Sequence, residues 1–302
     1  LGELPIGLTA THVLYVNTQV LEELGLSIPE TYEDLKAMVP TLRAAGKDVI
    51  LMGAKDDWVI QSTLFSMIVG RLVGDEMMDE IIAGRAKFTD EPFVNALRFY
   101  ASLFEDGVLS RRIFQTAYNE VDPLFAAGQA PFLIDGDWKV GNFLTDPTTG
   151  EALIPLEEQK HIVMTVFPAI PGERVHNTTS SVPAAGFGIN AAIPAGSRKE
   201  EAAWRLVEWL TSEEVQRIRL ETGSAFPSRK GVTSDRLEPL AQERATFYGR
   251  FSGTYVLDDV LDSQVYGPLN VGLQEIGLGL ATPEEVAASV QRALEAWRAS
   301  RR

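Results

Sequence analysis

Apolar residues recur at helical spacing in several segments of the chain, and short apolar runs lie between these segments. One helical stripe consists of Phe93, Leu97, Tyr100, Ala101 and Phe104. Because residues three and four positions apart share one face of a helix, this stripe predicts an amphipathic helix. Strands are predicted from the apolar runs at residues 4–8, 13–16, 49–53, 130–134, 162–167 and 186–193. Helices and strands mixed in this way indicate an α/β fold in which helices cover sheets.

Capping residues mark the expected ends of several helices. Thr31 opens a capping-box pattern, and Pro40 within the helix that follows should kink or split it. Thr211 is expected to cap a later helix. The helix that follows Ser197 is expected to bury one apolar stripe, which consists of Ala203, Leu206, Val207 and Leu210.

Composition and charge narrow the function classes. The chain has 302 residues, enough for two domains or one large one. Its 42 acidic and 27 basic residues give a net charge of −15, so nucleic acid is not an expected partner. The chain contains no cysteine, which excludes thiolate metal sites, disulfides and Cys nucleophiles. No apolar run is long enough to cross a bilayer, and if the protein is exported we expect its leader upstream of Leu1.

Motifs for metal binding and catalysis are missing from the sequence. His12, His161 and His176 lie far apart and have no partner at ligand spacing, so no metal site is expected. The segment 186–191 matches G-x-G-x-x-A, but strand-like residues follow its glycines instead of a helix. We therefore expect no cofactor. The glycines of this segment would allow the close approach of a neighbouring strand or of a ligand.

Two tryptophans each follow carboxylates in a loop. Asp56 and Asp57 precede Trp58, and a D-G-D sequence at 135–137 precedes Trp138. An indole ring can cover the C–H face of a pyranose while carboxylates accept hydrogen bonds from its hydroxyl groups. The alternative for each site is a tryptophan that simply packs beside a turn.

Several segments in a fixed order resemble one protein family. The motif F-x-x-G-x-A-A-M…G-x-W has its counterpart in Phe125–Trp138, where Pro131 replaces the usual Ala. Residues 4–17, 24–35, 186–216 and 222–230 match further segments of the same family. The chain thus resembles the extracellular solute-binding proteins of ABC importers, in the maltose-binding-like carbohydrate branch (family 1). Members of that family carry most of their first lobe ahead of the segment at residues 4–17, so we expect this lobe to be only partly present.

The resemblance implies a type II periplasmic-binding-protein-like fold, in which two α/β lobes close over a ligand at a hinge. Residues 1–8 and 185–230 would form the remnant of the first lobe. Residues 9–184 and 231–302 would form the second lobe. A remnant with little sheet of its own should expose apolar surface.

The resemblance also implies a function. The protein would capture an oligosaccharide or related polyol and deliver it to membrane permease subunits of an ABC importer, without making or breaking a bond. It would be periplasmic or extracellular, and it could be lipid-anchored. Two alternatives stay open: a glycoside hydrolase that uses Asp135 and Asp137, and a binding protein for a non-sugar solute such as a polyamine or peptide.

Eight residues are expected to contact the ligand. The family positions that stack on a sugar correspond to Trp58, Trp138 and Tyr266. The candidate contacts to hydroxyl groups are Asp57, Asp135 and Asp137. The expected contacts from the first lobe are Gly186 and Phe187. No catalytic residue is expected.

Overall fold

The computed structural model describes residues 3–180, 182–183 and 185–301. The strands are β1 Leu4–Pro5, β2 Leu8–Thr9, β3 Val13–Asn17, β4 Ile50–Leu51, β5 Phe132–Asp135, β6 Ile162–Thr165, β7 Thr178–Thr179, β8 Val182–Pro183, β9 Gly186–Phe187 and β10 Ser252–Gly253. The first helices are α1 Thr18–Glu23, α2 Tyr32–Ala44, α3 Trp58–Ile60, α4 Ser66–Leu72, α5 Asp75–Ala83, α6 Glu91–Glu105 and α7 Val121–Ala126. The remaining helices are α8 Val140–Phe143, α9 Leu156–Gln159, α10 Arg198–Leu210, α11 Glu213–Glu221, α12 Pro239–Phe247, α13 Leu257–Val260, α14 Ser263–Leu278 and α15 Pro283–Ser300.

The chain forms two compact units. The smaller unit contains residues Leu1–Ala10, Asp137–Lys160 and Ser181–Arg250. The larger unit contains residues Thr11–Gly136, His161–Ser180 and Phe251–Arg302. The chain passes from one unit to the other after Ala10, Gly136, Lys160, Ser180 and Arg250. Among the described residues, no helix combines the length and the hydrophobicity that crossing a membrane requires.

A four-stranded mixed sheet lies at the centre of the larger unit, in the order β4-β5-β3-β6. The strand β3 is antiparallel to both β5 and β6, and β4 is parallel to β5. Alternate residues of β3 point to opposite faces. Leu14 and Val16 pack into the main core, whereas the ring of Tyr15 meets Phe125 of α7 edge to face. Both faces of β3 are therefore buried, which explains why its sequence is a continuous apolar run.

Helices α4, α6, α14 and α15 pack against one another and build most of the main core. The rings of Phe65, Phe93 and Tyr100 meet edge to face within it. The buried hydroxyl of Tyr100 donates a hydrogen bond to the carbonyl of Leu273 at 3.1 Å, which satisfies the one polar atom of this side chain. Gly272 of α14 faces α15, and a Cβ at this position would lie 3.0 Å from Cγ2 of Val286 and closer still to its Cγ1.

The smaller unit contains two antiparallel strand pairs, β1 with β9 and β2 with β8. Apolar side chains are exposed among its described residues. They include Trp204, Leu206, Trp209 and Ile218. The predicted buried stripe of α10 is therefore wrong for Leu206, which is 56% exposed, while Val207 is buried as expected.

The compact units divide the chain at different positions from the expected lobes. The stretches 137–160 and 231–250 lie in the smaller unit, whereas the lobe boundaries place both in the second lobe. They lie together because α12 packs against α8 and α9. The expected boundary at residue 184 falls outside the described residues. The lobe assignment stays a prediction.

Local sequence signals predicted some element ends correctly and others wrongly. Thr31 and Asp34 form the expected capping box at the start of α2. Pro40 does not divide that helix, which runs on to Ala44. The cap of α11 is Ser212 and not Thr211, since the Ser212 side chain accepts a hydrogen bond from the backbone of Val215. The strand predicted at 186–193 is limited to the two residues of β9.

His12 is a buried neutral histidine in the larger unit. Its side chain is enclosed together with Thr63, Met67 and Phe167. Burial is the main cause that lowers the pKa of His12 to about 3, and the nearby positive charge of Arg71 acts in the same direction. The backbone of Ser62 acts in the opposite direction. The neutral form therefore dominates in the folded protein at pH values where an unfolded chain binds a proton.

We expect the substitution Gly272→Ala to reduce the free energy of unfolding by about 1–3 kcal/mol, because the added methyl group overpacks the contact between α14 and α15. Gly267 lies in the same helix and has no neighbouring atom within 4 Å of the corresponding position. Gly267→Ala is therefore the matched control and should be neutral or stabilising. Urea unfolding of the two variants measures the difference, and equal stabilities would contradict this account of the packing.

We also expect the folded state to lose stability on acidification because of His12. The pKa of His12 is about 3 in the folded protein and 6.5 for an ordinary, solvent-exposed histidine. The contribution of neutral His12 to the free energy of unfolding is therefore complete above pH 6.5 and falls as the pH drops towards 3. The slope approaches about 1.4 kcal/mol per pH unit for one proton. Urea unfolding between pH 7.5 and 5 tests this, with His12→Phe as the comparison. The same slope in both proteins would show that His12 is not its source.

Candidate functional site

The residues predicted to contact a ligand are found in both units. The larger unit contains Asp57, Trp58, Asp135 and Tyr266, and the smaller unit contains Asp137, Trp138, Gly186 and Phe187. Those of the larger unit lie at the start of α3, at the end of β5 and in the first turn of α14.

Trp58 and Tyr118 form an aromatic pair in the larger unit. Trp58 opens α3, and Tyr118 opens a short 3₁₀ helix, Tyr118–Glu120. Their ring centroids are 5.1 Å apart and the ring planes are inclined by 53°. Both side chains are half-buried and pack on the main core. Sequence reasoning missed Tyr118, because its partner Trp58 is distant along the chain and no local pattern marks the pair.

Asp135 holds the hydroxyl group of Tyr118. The Tyr118 hydroxyl donates a hydrogen bond to Oδ1 of Asp135 at 3.2 Å, and the backbone N–H of Gly136 donates to the same oxygen at 2.7 Å. The backbone N–H of Tyr118 donates to Oδ2 of Asp56 at 3.2 Å. Asp135 is fully buried at the end of β5. In this structure it fixes an aromatic side chain rather than presenting a carboxylate to solvent.

Gly53 allows the segment that carries Tyr118 to approach the end of β4. A Cβ at position 53 would lie 2.6 Å from Cα of Tyr118 and 2.9 Å from the carbonyl oxygen of Ala117. Both neighbours are backbone atoms, which cannot move aside as the end of a flexible side chain can. Any side chain at position 53 would therefore displace Tyr118.

Tyr266 and Asp57 belong to elements that adjoin α3 or precede it directly. Tyr266 belongs to α14, which contacts α3, and its half-buried ring packs on the same core as Trp58 and Tyr118. Asp57 is exposed directly before α3 and makes no capping hydrogen bond through its side chain. Trp58, Tyr118 and Tyr266 are called the aromatic group below.

Asp137 belongs to a buried polar network in the smaller unit. Its Oδ2 accepts hydrogen bonds at 2.7 Å from Nε of Arg244 and from the hydroxyl of Tyr248. Its Oδ1 accepts one at 3.0 Å from the backbone N–H of Ala10. Burial is the main cause that raises the pKa of Tyr248, and the charge of Asp137 adds to it. Asp137 is fully buried, so this geometry assigns it to the fold and not to hydroxyl recognition.

The other predicted residues of the smaller unit have different surroundings. Trp138 follows Asp137 and is half-buried. Gly186 pairs with Pro5 of β1, and a Cβ at position 186 would lie 2.9 Å from the carbonyl oxygen of Leu4. The close approach foreseen at this glycine is therefore that of a neighbouring strand. The half-buried ring of Phe187 lies 5.9 Å from the guanidinium of Arg219.

The burial of Asp135 and Asp137 argues against the glycosidase alternative. A glycosidase needs one carboxyl group that protonates the leaving group and another that attacks or activates water. Each of these two carboxylates is enclosed within its own unit and occupied by protein donors. Neither is presented to a substrate. Among the described residues, no group of His, Asp and Glu could hold a metal ion.

Known proteins share this fold. The solved structure of a chitin oligosaccharide binding protein superposes on this chain with a TM-score of 0.86 and 21% sequence identity. The match covers 100% of this chain and 72% of the chain of that protein. The predicted periplasmic-binding-protein-like α/β fold is thereby confirmed. A multiple sugar-binding protein of Streptococcus mutans is 20% identical over 231 residues, 75% of this chain and 51% of the relative. A glucose-binding protein of Saccharolobus solfataricus is 23% identical over 98% of this chain and 54% of the relative.

The chain therefore spans about half the length of the curated relatives that it matches. The profile of one family, described as bacterial extracellular solute-binding protein, matches residues 2–217. That range is more than two thirds of the 302 residues and includes most of the predicted site. The chain belongs to the bacterial extracellular solute-binding protein family, whose members bind solutes and do not transform them.

Proposed function

We propose that this protein binds a carbohydrate, an oligosaccharide or a related polyol, and delivers it to the membrane permease of an ABC importer. The observation that carries the proposal is the aromatic group of the larger unit. Trp58 and Tyr118 are half-buried side by side, and a buried carboxylate fixes the Tyr118 hydroxyl. Aromatic rings held in this way offer apolar faces on which the C–H face of a sugar ring can stack.

The named relatives support the same solute class. Two of them are named for sugars and a third for a chitin oligosaccharide. A polyamine or peptide is the rival cargo, because aromatic faces and carboxylates also attract cations. The permease partner and a location outside the cytoplasmic membrane, with or without a lipid anchor, are inferred from the family resemblance. Trp138 and Phe187 stay proposed ligand contacts on that resemblance alone.

A thermal-shift screen across sugars and polyamines tests the solute class. A ligand present at 100 times its dissociation constant stabilises the folded state by about 2.7 kcal/mol, which raises the melting temperature measurably. We expect shifts with sugars and none with polyamines or short peptides. A shift confined to the polyamines or peptides would overturn the proposal.

The substitution Trp58→Ala should weaken the binding of the best sugar from that screen by on the order of 2 kcal/mol, roughly thirtyfold in the dissociation constant. The reason is the loss of one stacking face. Trp204→Ala is the matched control, since Trp204 is 47% exposed on α10 of the smaller unit and is not part of the proposed site. Isothermal titration calorimetry measures the dissociation constant of the sugar for both variants.

A melting temperature recorded without ligand separates binding from folding in this experiment. If Trp58→Ala lowers the melting temperature strongly, or if it binds sugar as well as the unchanged protein does, Trp58 is a packing residue and not a ligand contact.

A further inference from the structure

A π-helical turn links Trp58 to a polar cluster in the larger unit. Residues Gln61–Phe65 form this turn between α3 and α4, so that the chain is helical without a break from Trp58 to Leu72. Ser62 lies in this turn, four positions after Trp58 on the same continuous helical segment. π-helical turns are frequent at functional sites.

Ser62 and Gln61 hold the carboxylate of Asp258. The Ser62 hydroxyl donates a hydrogen bond to Oδ2 of Asp258 at 2.8 Å, and Nε2 of Gln61 lies 3.4 Å from Oδ1. Gln61 is held in turn, because its Nε2 also donates to the hydroxyl of Ser66 at 3.1 Å. Both donors to Asp258 are buried. The orientation of this carboxylate is therefore set by the protein before any ligand arrives.

Asp258 differs from the carboxylates that were predicted from the sequence. Asp137 is fully buried and held by the charged Arg244, whereas Asp258 is half-buried and held by two uncharged donors. Each oxygen of a carboxylate can accept more than one hydrogen bond, so both oxygens of Asp258 keep acceptor capacity. The neighbouring Asp259 is close enough to interact with it. Desolvation is the main cause that raises the pKa of Asp259, and repulsion from Asp258 is the second.

The helix α13, which carries Asp258, also lies beside the rest of the aromatic group. It packs against the π-helical turn and against α14, the helix of Tyr266. The helix α14 in turn contacts α3, the helix of Trp58. A carboxylate with a fixed orientation thus stands among the elements that carry two half-buried aromatic rings.

We propose that Asp258 is the carboxylate that recognises neighbouring hydroxyl groups of the ligand, with Ser62 as the residue that positions it. This inference rests on the proposed function, since it assigns a polar contact to the same site. The ligand feature that it requires is a vicinal diol, as sugars and polyols present. A sugar ring stacked on Trp58 would donate its hydroxyl hydrogens to the oxygens of Asp258.

The substitution Asp258→Asn tests the proposal in this chain. The amide has the size of the carboxylate and its oxygen still accepts from Ser62, while its NH2 group replaces only the longer contact with Gln61, so we expect the melting temperature without ligand to fall only slightly. Loss of hydrogen bonds to a charged acceptor should weaken binding of the best sugar by about tenfold. Asp259→Asn makes the same change in charge one residue further on and should alter the affinity less than threefold.

Ser62→Ala is the second variant and keeps Asp258 while removing one of its two donors. We expect an intermediate loss of affinity from it, and it keeps the test decisive if Asp258→Asn does not fold. Unchanged sugar affinity in Asp258→Asn, or equal losses in Asp258→Asn and Asp259→Asn, would overturn the role of Asp258 while leaving the proposed function intact. If the unchanged protein binds polyamines and no sugar, both the hydroxyl assignment and the proposed function are wrong.

Discussion

The buried ion pair between Asp137 and Arg244 is the interaction on which the smaller unit depends. Asp137 joins the strand end at Ala10 to α12 and to Tyr248, and Nη1 of Arg244 donates to the carbonyl of Gly223 at 2.6 Å. Removing one partner of such a pair leaves an uncompensated buried charge and costs about 3–5 kcal/mol. The described sheets of this unit have only two strands each, so they offer no extended strand ladder that could take over this link.

The larger unit is held together mainly by apolar packing. Its four-stranded sheet is largely buried, and helices α4, α6, α14 and α15 share one core with it. The aromatic group stands at the margin of this core, so its rings are held by contacts that the fold makes in any case. Such preorganisation reduces the conformational entropy that a ligand must remove when it binds.

Much of this arrangement is encoded locally and could be predicted from the sequence. The capping box at Thr31, the helical stripe from Phe93 to Phe104 and the order of family motifs are all short-range patterns, and each predicted its element or family correctly. Leu206 was predicted wrongly because periodicity states which face of a helix is apolar, not whether another element covers it. The roles of Asp135 and Asp137 could not be seen either, because burial and hydrogen-bond partners such as Tyr118 and Arg244 come from distant segments.

The contact at Gly53 has a consequence for how relatives of this protein can diverge. Two backbone segments touch there, so position 53 and the loop at 117–118 cannot change independently. A lineage that acquires a side chain at position 53 must first relocate the loop, and with it the ring that lies against Trp58. Changes of specificity on this side of the molecule should therefore arise through coordinated substitutions in the two segments rather than through single steps.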